Sequence, residues 1–265
     1  MQSYTRLATL AVVATLTSSC AVSRQQEIQM GNDYATQINA ELPLIRDAAV
    51  NNYITALGRQ ISNVTGVSDI TWRFTIVNAK EVNAFAVPGG HVYINRGLIE
   101  RATNMSQVAS VLAHEIAHVT ERHSVDQMQQ MQGANVGVAL LCVLTNTCES
   151  AAGRTAINVG GSAALASFSR GDENQADEVG LRLAVRAGID PTGFPEMFRI
   201  LLDERQSNPG AVDKFFSTHP LAEDRITSSR ALIATYTPAQ LRGLQKDSNA
   251  FQQFKRRLAG LPAAK

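Results

Sequence analysis

Val111-Leu-Ala-His-Glu-Ile-Ala-His-Val119 is the stretch on which the reading of this 265-residue chain turns. His114 and His118 stand four residues apart, so on a helix both imidazoles leave the same face, one turn apart. Glu115 lies beside them, where a carboxylate can polarise a water held by a metal. The spacing His-Glu-x-x-His is the pattern of a zinc site built on a single helical turn. A chance pair of satisfied surface histidines has the same spacing, so the flanks decide.

The flanks favour a buried helix. Val108, Val111, Leu112, Ile116 and Val119 recur at helical spacing, and no Pro or Gly interrupts the stretch Val108 to Val125. Asn104 followed by Gln107 resembles a capping pair that would start the helix. Ala113, Ile116, Ala117 and Val119 carry no charge, which suits a metal held in a dry site.

A catalytic zinc takes three protein ligands and keeps the fourth position for water. Glu121 and His123 are the nearest candidates, but each would have to bend back along its own helix. Glu149 sits in a polar turn beside Cys148 with nothing to orient it. Glu173 is the better third ligand. It lies in Ser169-Arg-Gly-Asp-Glu-Asn-Gln-Ala-Asp177, which opens a second helix running through Val179, Leu183 and Ala184 to Gly188. Asp177 falls one turn later on the same face, where it can accept the outer ring proton of a ligating His and fix its tautomer. A solvated acidic helix start, favoured by the helix dipole, is the competing reading of these carboxylates.

With these motifs in hand, the chain resembles the HtpX and CAAX-prenyl-endopeptidase family of gluzincin metallopeptidases. The resemblance rests on His114-Glu115-x-x-His118, Ser169-Arg170-x-x-Glu173-x-x-Ala176-Asp177, Ser217-Thr-His-Pro220 with Arg225-Ile226, and Asn83-Ala-Phe-Ala-Val-Pro-Gly-Gly90 followed by Val92-Tyr-Ile94. It extends over roughly Leu42 to Ile233, and it is nearest the periplasmic BepA- and LoiP-like branch, without room for a tetratricopeptide array. The resemblance implies a zincin-like fold holding one zinc ion on His114, His118 and Glu173. It further implies that His219 stands near the metal, either as a fourth ligand that keeps the enzyme latent or as a donor to the developing oxyanion. Substrate would lie extended along an edge strand around Asn83, Ala84 and Phe85, using main-chain hydrogen bonds. Arg225 is expected to pack structurally near the site, and His91 to be a strand-start residue beside a turn. Water on the zinc would be acidified towards neutrality, and Glu115 would take its proton and pass it to the leaving amine.

Composition bounds the rest. With 45% hydrophobic and 18% charged residues, the chain has material for one sizeable domain, and a net charge of +1 gives no electrostatic case for nucleic acid. Arg6 precedes the apolar run Leu7 to Leu16, which is the length of a secretory core and too short to span a bilayer. The run ends at Leu16-Thr-Ser-Ser-Cys20, which resembles a lipoprotein cleavage box with Cys20 as the lipidated residue. Thr17 stands where Leu is expected, and ordinary cleavage after Ala21 is the alternative. Either way the mature chain is expected in the bacterial envelope, as a lipoprotein on the periplasmic side of the outer membrane or as a soluble periplasmic protein. Cys142 and Cys148 are then expected to pair as a disulfide across a turn at Thr145-Asn-Thr147; a two-Cys metal site would lack further ligands nearby.

The organisation follows: a signal peptide over 1–20, a tether over 21–33, and a single metallopeptidase domain with a helical C-terminal extension over 34–265. Leu44 to Ile61 reads as a helix, and Ile70 to Ile76 as a half-buried strand. Two further short strands flank Pro88-Gly-Gly90, and Gly97 to Ala102 begins helical structure. Gly133 to Leu144 and Ala151 to Phe168 read as helices packed over the zinc helix. Pro191 to Glu204, Leu221 to Ala234 and Pro238 to Leu258 complete a helical layer. The fold class is α+β, mostly helical, with a small antiparallel sheet beside the active-site helix. The expected function is zinc-dependent endoproteolysis of misfolded or misassembled exported proteins, with unfolded or extended polypeptides as substrates and outer-membrane assembly components as partners. A holdase-like binding module with weak or latent proteolysis is the alternative.

Overall fold

The computed structural model describes residues 22–130, 167–220 and 224–264. Along them run α1 (Arg24–Glu41), α2 (Ala48–Ser62), β1 (Arg73–Val77), β2 (Ala84–Val87), β3 (His91–Asn95), α3 (Arg96–Arg101), α4 (Met105–Thr120) and α5 (His123–Gln130). After the second described segment begins, α6 (Arg170–Arg186), α7 (Gly193–Ser207) and α8 (Pro209–Thr218) follow; α9 (Asp224–Ile233), α10 (Pro238–Leu241) and α11 (Asn249–Ala259) complete the series.

The helix carrying His114 and His118 is the centre of the core. Every residue of α4 from Met105 to Val119 is buried, and α2, α6, α7 and β2 all pack on it. A helix enclosed on all sides reads as apolar all round, which is why its flanks lack charge. Asn104 starts it by accepting from the Gln107 backbone N–H at 3.2 Å, while Gln107 Oε1 accepts from the Thr103 N–H at 2.7 Å. On one flank, α2 presents the stripe Val50, Ile54, Leu57 and Ile61, capped by Asp47.

Helix α6, which carries Glu173 and Asp177, begins with a capping box between Ser169 and Asp172 and ends at Gly188, whose φ of +77° suits glycine. Midway, Gly180 lets α6 approach α4 closely. A Cβ there would sit 3.0 Å from the Ala113 carbonyl and the His114 nitrogen.

The α+β class and the helical core stand, but the sheet is mixed rather than antiparallel. Its order is β1-β3-β2: β2 and β3 form an antiparallel hairpin across Pro88-Gly-Gly90, and β1 lies parallel to β3. The cause is the link 78–83, which crosses the end of β3 before β2 begins. Asn95 fastens that crossing, donating from its backbone to the Asn83 carbonyl and from its amide to the Glu81 carbonyl.

Three other expectations change. Residues 24–33 are not a tether: Ser23 and Gln26 form a capping box, and α1 runs from Arg24 across the far face of the sheet, where Ile38 packs with Phe85, Val87 and Tyr93. Gly31 of this helix lies so close to the Pro88 carbonyl that a Cβ would overlap it. The zinc helix does not continue to Val125. It stops at Thr120, and Arg122 takes φ +62° before α5 begins. The span Pro238 to Leu258 is likewise two helices, because Gly243 (φ +79°) turns the chain and Gln245 bridges to Ile189. Cys20, Cys142, Cys148, the helix expected over 133–144 and residues 151–166 of the helix expected over 151–168 lie outside the described residues, and Ser167 and Phe168 are not helical.

Candidate metal centre

Two helices and one helix end bring the site together. One face of α4 supplies His114 and His118, with Glu115 beside them. From α6 come Glu173 and, one turn on, Asp177. His219 follows the last residue of α8, held by its N–H to the Phe215 carbonyl at 2.8 Å. His114, His118, Glu173 and His219 are all buried, and one donor atom from each lies within 4.8 Å of the others. Among the described residues this is the grouping of His, Cys, Asp and Glu able to hold a metal.

The proton positions make the cluster specific. Asp177 Oδ1 lies 2.9 Å from His114 Nδ1, and since a carboxylate only accepts, that nitrogen carries the proton. His114 Nε2 therefore offers a lone pair inward. It lies 2.9 Å from His118 Nε2 and 3.6 Å from Glu173 Oε2, with Glu173 Oε1 3.4 Å from His118 Nε2. Lone pairs and a carboxylate converging in a water-poor space are what a cation resolves. Two imidazoles and one carboxylate, one imidazole braced by an outer carboxylate, form a donor set that fits zinc.

Arg225, expected only to pack nearby, is the residue that braces the cluster. It donates Nε and Nη2 to the two oxygens of Asp177, each at 2.7 Å, and Nη1 to Glu173 Oε2 at 2.5 Å. The guanidinium is 2% exposed and lies over the Phe198 ring at 4.5 Å. Burial would lower its pKa, but Asp177 and Glu173 outweigh that and raise it. A lone Arg in Asp224-Arg-Ile226 carries no local signal of this role.

His123 also reaches the site, though not as a ligand. The break at Arg122 folds it back so that its Nδ1 lies 2.9 Å from His118 Nδ1. Phe168 stacks on the His118 ring at 3.9 Å between centroids.

Glu115 is 1% exposed, and its Oε1 has no hydrogen-bond partner. Burial pushes its carboxyl up from the usual range, against the pull of His219, His114 and the Ala86 backbone. For Glu173, burial pushes up as well, but the neighbouring His219 and His114 hold it well below the usual range. Burial keeps His118 well below the ordinary imidazole value. Against the effect of burial, Glu173 and Glu115 raise His219, whose Nδ1 sits 3.0 Å from Glu173 Oε1 and whose Nε2 sits 3.5 Å from Glu115 Oε1.

Of the expected edge-strand residues, Asn83 and Ala84 are buried at the start of β2 and Phe85 points away from the cluster, stacked on Tyr93 at 4.9 Å. Within the described sheet β2 is an edge, paired to β3 alone. His91 does start β3, and it also bonds Asn32 of α1 through Nε2 at 2.9 Å.

A buried helix bearing two imidazoles and an orphaned glutamate, with the third carboxylate from a following helix, defines the gluzincin class of zinc metallopeptidase. The profile of Peptidase family M48 matches residues 48–233, and the chain belongs to that family. It is 34% identical over 222 residues to the beta-barrel assembly-enhancing protease of Yersinia pestis, covering 80% of this chain and 45% of that protein. The protein of the same name in Escherichia coli K12 is 35% identical over 214 residues, 77% of this chain and 43% of the relative. The mitochondrial metalloendopeptidase OMA1 of Schizosaccharomyces pombe is 29% identical over 174 residues, 66% of this chain and 50% of the relative. The chain thus spans about half the length of these curated relatives.

Proposed function

We propose that the chain is a zinc-dependent endopeptidase that cuts extended segments of misfolded or misassembled exported proteins. The observation that carries the reading is Glu115: a buried carboxylate whose Oε1 has no hydrogen-bond partner, beside the His114, His118, Glu173 and His219 cluster. Bound zinc, on His114, His118 and Glu173, supplies Lewis-acid polarisation of the scissile carbonyl and an acidified water.

Glu115 does the proton work. Its raised pKa brings it nearer the operating pH, where a carboxyl can both take a proton and return it to the leaving amine. A substrate strand would add along the edge of β2 in the stretch Asn83, Ala84 and Phe85, where Ala84 turns its main chain away from β3. Because that pairing uses main chain, it favours unfolded or strand-like clients over any one side-chain sequence. The name borne by the enterobacterial relatives, beta-barrel assembly-enhancing protease, supports outer-membrane assembly intermediates as clients and assembly components as partners.

His219 is assigned as a latency cap. Its imidazole lies among the ligand atoms, against both Glu173 and Glu115, where it would take the place of the zinc-held water. We place the mature chain on the periplasmic side of the outer membrane, anchored through Cys20, with one peptidase domain that includes α1 from Arg24 and with Cys142 paired to Cys148. No helix among the described residues is long and apolar enough to cross a membrane. Replacement of Cys20 by Ser should release the protein into the soluble periplasmic fraction. Unchanged fractionation with Val22 at the mature N-terminus would instead identify ordinary signal cleavage.

Zinc content and casein cleavage by the purified chain test the central reading. Glu115→Gln should keep zinc and lose cleavage, whereas Glu173→Ala should lose most of the zinc. A Glu115→Gln protein that cleaves like wild type would sink the assignment. Full zinc with suppressed client aggregation and no cleavage under any condition would establish the holdase instead.

A further inference from the structure

His118 can bind a cation through Nε2 only if its ring proton sits on Nδ1. That nitrogen faces His123 Nδ1 at 2.9 Å, with both rings buried. Two imidazole nitrogens at this separation share one proton, and the pair alone does not settle which ring holds it. The far side of His123 does. His123 Nε2 lies 3.3 Å from Gln175 Oε1, and Gln175 Nε2 donates to Glu121 Oε2 at 2.7 Å.

Directions now follow from an end that has no choice. A carboxylate has acceptors only, so Glu121 turns the Gln175 NH2 towards itself and leaves the amide oxygen on His123. That oxygen also only accepts, so His123 Nε2 is the donor. Neutral His123 then has a bare Nδ1, which accepts the proton of His118 Nδ1. The Nε2 lone pair of His118 is left pointing at Glu173 and His114.

We propose that Glu121, Gln175 and His123 form a hydrogen-bond relay that fixes the tautomer and orientation of His118, as positioning residues of the zinc centre. The inference rests on the metal reading of the site given above. It makes the two imidazoles equivalent in design: His114 is braced by Asp177 and Arg225, His118 by His123, Gln175 and Glu121.

The backbone break makes the relay possible. In an unbroken helix, His123 would point about 140° round the axis from His118. Instead α4 ends at Thr120 and Arg122 adopts φ +62°, a conformation that a side-chain-bearing residue keeps only when its surroundings hold it. The holding is done by α1. Arg122 Nε donates to the buried Glu27 at 2.8 Å and its Nη2 to the Val22 carbonyl at 2.7 Å. Arg24 completes the neutralisation of Glu27 at 2.8 Å. The N-terminal helix is thereby part of the frame that sets His118.

The test uses the full zinc-loaded chain and follows zinc release into an excess of chromogenic chelator, with the unfolding midpoint recorded on the same samples. His123→Ala should speed release by about 10- to 100-fold, the usual effect of losing an outer partner of a ligand. His123→Asn should restore part of the loss, since Asn Oδ1 can accept where Nδ1 did. Gln175→Leu, on the exposed side of α6, should speed release several-fold without moving the midpoint. Combined with His123→Ala it should add nothing, because it acts through His123. Release at the wild-type rate in His123→Ala or Gln175→Leu, or effects that multiply in the double variant, would overturn the relay. If His123→Ala does not fold, His123→Asn and Gln175→Leu decide the matter. A wild-type chain that takes up no zinc defeats the metal reading and the relay together, whereas tight wild-type binding with unchanged release in the variants defeats the relay alone.

Discussion

Removing the Arg225 side chain should be among the most damaging single changes in this molecule. Arg225→Met keeps volume and apolar contact with Phe198 but deletes three charge-assisted hydrogen bonds, two to Asp177 and one to Glu173. Those carboxylates are 8% and 1% exposed, so water cannot replace the guanidinium. Breaking a buried ion pair by removing one partner costs about 3–5 kcal/mol. At about 2–4 °C per kcal/mol for a chain near this size, the melting temperature should fall by roughly 6–20 °C. The measurement belongs on chelator-treated protein, since bound zinc would neutralise Glu173 in its own right. Arg225→Lys should fall between, because an ammonium keeps the charge and loses the fork. The triple change Arg225→Met, Glu173→Gln, Asp177→Asn should be less destabilised than Arg225→Met alone, since no unpaired charge is then buried. A zinc-free Arg225→Met protein within about 1 kcal/mol of wild type would show that these carboxylates do not depend on Arg225, against the pairing argument.

His91 gives a pH signature away from the metal. Burial, aided by the Arg73 guanidinium, lowers its pKa from 6.5 to about 4. A folded-state pKa below the unfolded one means its stabilising contribution is complete above 6.5 and is lost as pH falls through about 4. His91→Gln should flatten urea-unfolding stability across that window, and an unchanged slope would refute the assignment. Gly180→Ala should destabilise by about 1–3 kcal/mol despite the helix preference for Ala, because its Cβ meets the backbone of the zinc helix; a higher melting temperature would show that α6 yields without consequence. His219→Ala should raise casein cleavage with zinc retained if the imidazole is a cap. Slower cleavage with zinc retained would make it an oxyanion donor, and wild-type activity with unchanged zinc affinity would leave it neither role.

What was legible in the sequence is what a single element fixes. His114, Glu115 and His118 share one helical turn, and Glu173 and Asp177 share another, so spacing alone sets each group on a common face. The same holds for the capping residues Asn104, Ser169 and Gly188. The contact between α4 and α6 was inferred from chemistry, the need for a third ligand, and Gly180 is the residue that lets the helices meet. Features that depend on contacts between distant segments were not legible. No local pattern says that β1 lies parallel to β3, because the pairing is decided by where the link 78–83 crosses. Likewise, residues 21–33 read as a tether because the value of α1 lies in Ile38 against Tyr93 and in Glu27 against Arg122, each across a long stretch of chain.

The same limit explains the reading of Glu121 and His123. On a continuous helix neither reaches a metal held by His114 and His118, but the helix is not continuous. Thr120-Glu-Arg-His123 holds no Pro or Gly, so the left-handed turn at Arg122 has no signature of its own. It exists because a buried carboxylate ninety-five residues earlier takes the guanidinium. An ion pair between remote segments thus sets a backbone angle, the angle sets the position of one imidazole, and that imidazole sets the proton on another. Residues that bind the ion can be read from spacing; residues that decide which nitrogen is free to bind it must be read from who donates to whom.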